Sequence, residues 1–109
     1  MIIEARSSTQ FSELIKEGIE LVVFWLDLSQ PCLSQSPVLI ELSQELKEKL
    51  RIINVNAQDI PDLTQQFDVQ AIPTLLLFQD GREVNRFIGV QSKDRLLDAV
   101  NHLLVTEES

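Results

Sequence analysis

The sequence predicts an α/β protein in which a central mixed β-sheet is flanked by helices on both faces. Three observations point there. Residues 21–26, Leu-Val-Val-Phe-Trp-Leu, form a continuous apolar run rich in β-branched and aromatic side chains, the pattern of a strand buried on both faces. A stretch with leucines at three- and four-residue steps separates that run from a second one at 52–55, so the two strands are expected to lie parallel, joined by a right-handed helical crossover. Asp80-Gly81, between two further strand-like runs, is a hairpin signal that adds antiparallel strands to the same sheet.

Each element has its own local reason. Residues 2–6 read as a short first strand, after which Ser7 or Ser8 caps a helix with Phe11, Leu14 and Ile15 on one face. Gly18 ends it. Beyond the central strand, Ser29 is a good N-cap, and Pro31 suits a first helical turn because its missing N–H would have had no intrahelical partner. This helix is expected to run toward Leu50 with Leu39, Leu42, Leu46 and Leu50 inward, Glu41, Glu45, Lys47, Glu48 and Lys49 in water, and a bend at Pro37. Pro61 opens a short helix that carries Leu63 and Phe67 inward. Residues 73–78 and 83–88 make the hairpin, and Ser92 caps a last helix with Leu96, Leu97, Val100, Leu103 and Leu104 on its apolar face. Residues 106–109 read as a frayed tail.

Composition bounds the possibilities. At 109 residues the chain is expected to form one domain, 1–109, long enough to bury a core without disulfide staples. Its single cysteine allows no intrachain disulfide. An apolar content of 44% places it among ordinary globular proteins, and no apolar run approaches the roughly 20 residues of a membrane span. The N-terminus shows neither the basic start nor the apolar core of a secretory signal, so a cytoplasmic location is expected. Seventeen acidic against nine basic residues give a net charge of −8, which repels nucleic acid and anionic lipid; neither is expected as a partner.

Chemistry concentrates where the central strand gives way to the long helix, since sites in such sheets lie beyond the carboxyl ends of the strands. Cys32 falls at about the third helical position there. Two environments compete for it: the helix N-terminus favours a thiolate, while burial one turn in disfavours the charge and blocks access. His102 belongs to the last helix, and one cysteine with one histidine cannot build a zinc site. Asp27, Asp59 and Asp62 fall into no defensible pairing, and there is no glycine-rich phosphate loop. No metal and no cofactor are expected.

Phe24-Trp25 followed, after three residues, by Ser29-Gln30-Pro31-Cys32 resembles the active-site segment of the thioredoxin family, in which Cys-Gly-Pro-Cys follows a tryptophan at that spacing. The resemblance continues through Pro37, Ala71-Ile72-Pro73-Thr74, Asp80-Gly81 and Gly89, and covers about residues 11–104. It implies a thioredoxin fold with a cis bond at Ile72-Pro73. It also implies a groove at which Leu28, Gln30, Pro31, Ile72, Pro73, Gly89 and Val90 pair with an extended protein or peptide segment through its main chain.

The departures from the family fall on the residues that carry its chemistry. Ser29 stands where the resemblance puts the exposed nucleophilic cysteine, and Cys32 where it puts the buried resolving one. A serine hydroxyl cannot form a mixed disulfide, so the two-thiol exchange cycle cannot run within this chain. Val23 stands where the family usually keeps a buried aspartate, and Asn54 where it usually keeps a lysine. The resemblance, so modified, implies an atypical thioredoxin-like protein of thiol-redox homeostasis with weak or absent dithiol reductase activity, Cys32 forming mixed disulfides with partner proteins or glutathione. The alternative is a non-catalytic peptide- or protein-binding module, chaperone-like, that uses the groove beside Pro73. In its Ser-Gln-x-Cys-Leu stretch the chain is also similar to the N-terminal thioredoxin-like domain of bacterial chaperedoxins. A serine three residues before a cysteine is shared with peroxiredoxins, whose motif wants a proline where Trp25 stands.

Overall fold

Nine elements follow one another in the computed structural model, which describes residues 1–108, with side chains through Thr106. They are β1 (Ile2–Glu4), α1 (Ser8–Leu14), β2 (Ile19–Trp25), α2 (Gln30–Leu46), β3 (Arg51–Asn56), α3 (Pro61–Gln66), β4 (Thr74–Gln79), β5 (Arg82–Ile88) and α4 (Lys93–Glu108). The five strands form one sheet in the order β1-β3-β2-β4-β5. β3 lies parallel to both β1 and β2, whereas β4 runs antiparallel to β2 and β5 antiparallel to β4. The sheet is therefore mixed.

The central strand shows why its run is unbroken. Leu21 and Val23 point to one face, where Leu39, Leu42 and Leu46 of α2 and Leu96 and Val100 of α4 cover them. Val22 and Phe24 point to the other, against Phe11 of α1 and Leu63 of α3. A strand covered on both faces has no polar side to show in sequence. At the hairpin, Asp80 (φ 49°) and Gly81 (φ 86°) both take the left-handed conformation that a two-residue turn between twisted strands requires. Asp80 Oδ1 also accepts the Gly18 N–H at 3.0 Å, which ties this turn to the start of β2.

Several boundaries differ from expectation, three of them with a visible cause. β2 begins at Ile19 because the charged Glu20 is carried into the sheet, where it lies in register with Arg51 of β3 and is 1% exposed. Arg51 Nη2 donates to Glu20 Oε2 at 3.2 Å and also to the Leu14 carbonyl. α2 stops at Leu46 rather than near Leu50: Lys47, at φ 12° and ψ −92°, breaks the helix, and the N–H groups of Lys49 and Leu50 both turn back to the Leu46 carbonyl. Leu50 stays buried because it leads into β3, so the leucine spacing continues past the helix itself. α4 extends to Glu108, with the Thr106 hydroxyl donating to the His102 carbonyl, so the expected frayed tail is helical as far as Glu108; Ser109 lies outside the described residues. Among the described residues no helix is long and apolar enough to cross a membrane.

Candidate functional site

β2 ends at Trp25, and Leu26, Asp27 and Leu28 carry the chain to α2. Leu28 sits at φ 61°, a conformation that costs an L-residue about 1–2 kcal/mol. Its side chain is 92% exposed. Ser29 is the N-cap of α2: its Oγ accepts the Cys32 N–H at a long 3.5 Å, and its carbonyl accepts the Leu33 N–H at 2.9 Å. Pro31 occupies the first turn, where its lack of a donor costs nothing. Cys32 is a free thiol, half-buried rather than sealed, and of the two environments weighed for it this leaves room for access.

The opposite side is built from the β4 entrance and the β5 exit. The Ile72–Pro73 bond is cis, Pro73 is buried, and its carbonyl accepts the Gly89 N–H at 2.9 Å. Gly89 takes φ 87°, open only to a residue without a side chain at low cost. Buried Gln35 of α2 fastens this loop: its Nε2 donates to the Gln91 carbonyl at 3.0 Å and its Oε1 accepts the Gln91 N–H at 2.7 Å. The clamp links the helix that carries Cys32 to the segment that carries Gly89 and Val90.

A cavity of about 630 Å³ opens here, and its walls include Cys32, Leu28, Pro73, Trp25, Glu4 and Asn54. Of the site residues expected from the sequence, Cys32, Leu28 and Pro73 thus line one cavity. Ser29 sits at the cap, with exposed Gln30 and Pro31 after it. Val90 is 47% exposed beside Gly89, and neighbouring Ile88 is 66% exposed. Ile72 is half-buried and packs against the other core, under α1 and α3.

The polar groups of this cavity include residues that sequence reasoning passed over. Strand register places Glu4 of β1, Asn54 of β3 and Val23 of β2 in one lateral row, so all three side chains leave the sheet on the same face. Burial pushes the Glu4 carboxyl above its ordinary range, and nearby Asp27 adds to this. The side chains of Trp25 and Asn54 and the charge of Arg6 pull it partly back. The Trp25 indole N–H favours the ionised carboxylate but closes no hydrogen bond of ordinary geometry, and its nitrogen is buried. Two signals were available: a glutamate ending the apolar Ile2-Ile3 run at the carboxyl edge of the sheet, and a glutamine four residues before Leu39 on the buried stripe of α2. No group of three or more His, Cys, Asp or Glu side chains that could hold a metal ion occurs among the described residues.

A five-stranded mixed sheet of this order, with a cysteine in the first turn of the helix after its central strand and a cis proline on the same cavity, is the architecture of a thioredoxin fold. The family model described as Thioredoxin matches residues 2–102. The chain is 37% identical over 100 residues to a thioredoxin of Chlamydia caviae, covering 92% of this chain and 97% of that one. It is 34% identical over 101 residues to a thioredoxin of Staphylococcus haemolyticus, covering 93% and 97%. Among solved structures, mitochondrial thioredoxin 3 of Saccharomyces cerevisiae superposes with a TM-score of 0.84 at 25% identity, covering 93% of this chain and 94% of that one. A thioredoxin of Malassezia sympodialis superposes with a TM-score of 0.85 at 20% identity, over 93% and 91%. The chain belongs to the thioredoxin family.

Proposed function

We propose that this thioredoxin-family protein works through one thiol. Cys32 attacks a disulfide to form a mixed disulfide with a protein or peptide partner, or with glutathione, and an external thiol releases it; dithiol-disulfide reductase turnover is weak or absent. The observation that supports this most is Cys32, the chain's single cysteine, on the wall of an open cavity, with a serine cap in the place a second thiol would need. Exchange requires a thiolate able to reach a sulfur in line, and release requires another thiol to attack in turn. The reading puts the protein in the cytoplasm, where a thiol pool provides that second attack. A net charge of −8 favours protein partners over nucleic acid or anionic membrane.

Incubated with oxidised glutathione, the native protein should gain one glutathione on Cys32 by intact mass, lose it on addition of reduced glutathione, and gain none as Cys32→Ser. A native protein that stays unmodified while its unfolded form is modified contradicts the proposal.

A second reading is a binding module that needs no sulfur. It is favoured by Leu28, held at φ 61° with its side chain in solvent, and by exposed Ile88 and Val90, which flank the Gly89 whose N–H meets the Pro73 carbonyl. Such an apolar rim around exposed backbone suits addition of an extended segment. Under this reading Cys32→Ser binds the same partners as the wild type.

A further inference from the structure

The cavity contains a carboxyl group that nothing in the exchange reaction has yet used. Glu4 arrives from the sheet edge, Cys32 from the first turn of α2, and both line the same cavity. Glu4 is half-buried, and its lateral neighbours in the sheet are the uncharged Asn54 and then the apolar Val23, 2% exposed. Val23 leaves the central strand with no proton acceptor in this row. We propose that Glu4 is the proton acceptor for the Cys32 thiol during mixed-disulfide formation, acting from β1 across the cavity. The inference rests on the single-thiol reading above and names the group that activates it.

The step balances without another reagent. The Cys32 S–H proton passes to the Glu4 carboxylate through solvent in the cavity, whose volume exceeds many times the roughly 30 Å³ share of one water. The thiolate then forms a new S–S bond with one sulfur of the partner disulfide. The old S–S bond breaks, and its electron pair stays on the departing sulfur, which takes a proton from Glu4 or from water. Cys32 is oxidised and the partner disulfide is half reduced.

Charge around the carboxyl suits an acceptor. The charged groups acting on Glu4 are Asp27 beyond β2 and Arg6 just past its own strand; β3 contributes the amide of Asn54, and Cys32 of α2 lines the same cavity. Burial is the largest influence on Glu4 and makes its carboxylate a better proton acceptor than a surface glutamate. Asp27 lines the same cavity but is solvent-exposed, and it serves as the control.

The test is the rate of Cys32 alkylation by iodoacetamide between about pH 4 and 9 in wild type, Glu4→Gln, Glu4→Asp and Asp27→Asn, with thermal unfolding of each as a check on folding. Wild type should show two rising steps, the lower from Glu4. Glu4→Gln should lose the lower step and react at least about fivefold more slowly at neutral pH. Glu4→Asp, one methylene shorter but still titratable, should keep the lower step with a reduced rate, and Asp27→Asn should keep both steps. A Glu4→Gln profile superimposable on that of wild type overturns the role of Glu4 while leaving the single-thiol reading intact. A wild-type Cys32 silent at every pH overturns both.

Discussion

Ser29→Cys is expected to raise kcat/KM for a protein disulfide at least about tenfold over wild type, or about 1.4 kcal/mol of transition-state stabilisation. The Ser29 Oγ lies 3.5 Å from the Cys32 N–H, so a sulfur in its place sits over the same first turn of α2 as Cys32. A disulfide can close there, and the helix N-terminus favours the new thiolate. Activity should nonetheless stay below that of an ordinary thioredoxin, because Val23 is a buried apolar residue where the family usually keeps an acid, and Gln30 alters the pair's redox balance. Turnover is followed with thioredoxin reductase as electron source and Cys32→Ser as control. Strong wild-type turnover abolished by Cys32→Ser would show that a lone sulfur suffices. A silent Ser29→Cys would mean that the missing sulfur is not the limit.

Glu20→Gln should stabilise the fold by up to about 2 kcal/mol at pH 7–8 and by little near pH 4.5. Burial raises the Glu20 carboxyl to about 6 despite the Arg51 hydrogen bond and charge, and Asp80 adds to the rise. A carboxyl raised in the folded state contributes stability that is fully present below its unfolded value, near 4.5, and is lost as pH rises through about 6. Glutamine imitates the protonated form and keeps an acceptor for Arg51, so it escapes that loss. The measurement is the wild-type minus variant difference in chemical unfolding free energy across this window. A variant less stable than wild type at pH 8 would show that the Arg51–Glu20 pair repays its own desolvation.

The sheet and its helices were legible because each rests on local sequence logic. The unbroken run at 21–26, the caps at Ser29 and Ser92, and the Asp80-Gly81 turn each specify a short piece of backbone. The site was legible only in part. Ser29, Cys32 and Pro73 carry signals within a few residues of themselves, while Glu4 comes to the cavity that Cys32 lines only through the pairing of β1 with β3 and of β3 with β2. Nothing local to Glu4 specifies that register. Glu20 was hidden for the same reason: its partner, Arg51, is 31 residues away, and without it a charge in a central strand reads as a strand boundary. Gln35 joins α2 to the Gln91 backbone 56 residues away, a contact that exists only once the two segments have packed.

The central claim is that Cys32 is a working thiol, and its rate of reaction with a small aromatic disulfide tests this most directly. The rate is taken at neutral pH in the native protein and again in the protein unfolded in denaturant. A functional Cys32, on an open cavity at a helix N-terminus with Glu4 to take its proton, should react in the native state at least as fast as in the unfolded chain. A native thiol slower than the unfolded one by about a hundredfold or more would mark Cys32 as a shielded core residue, and would contradict the account.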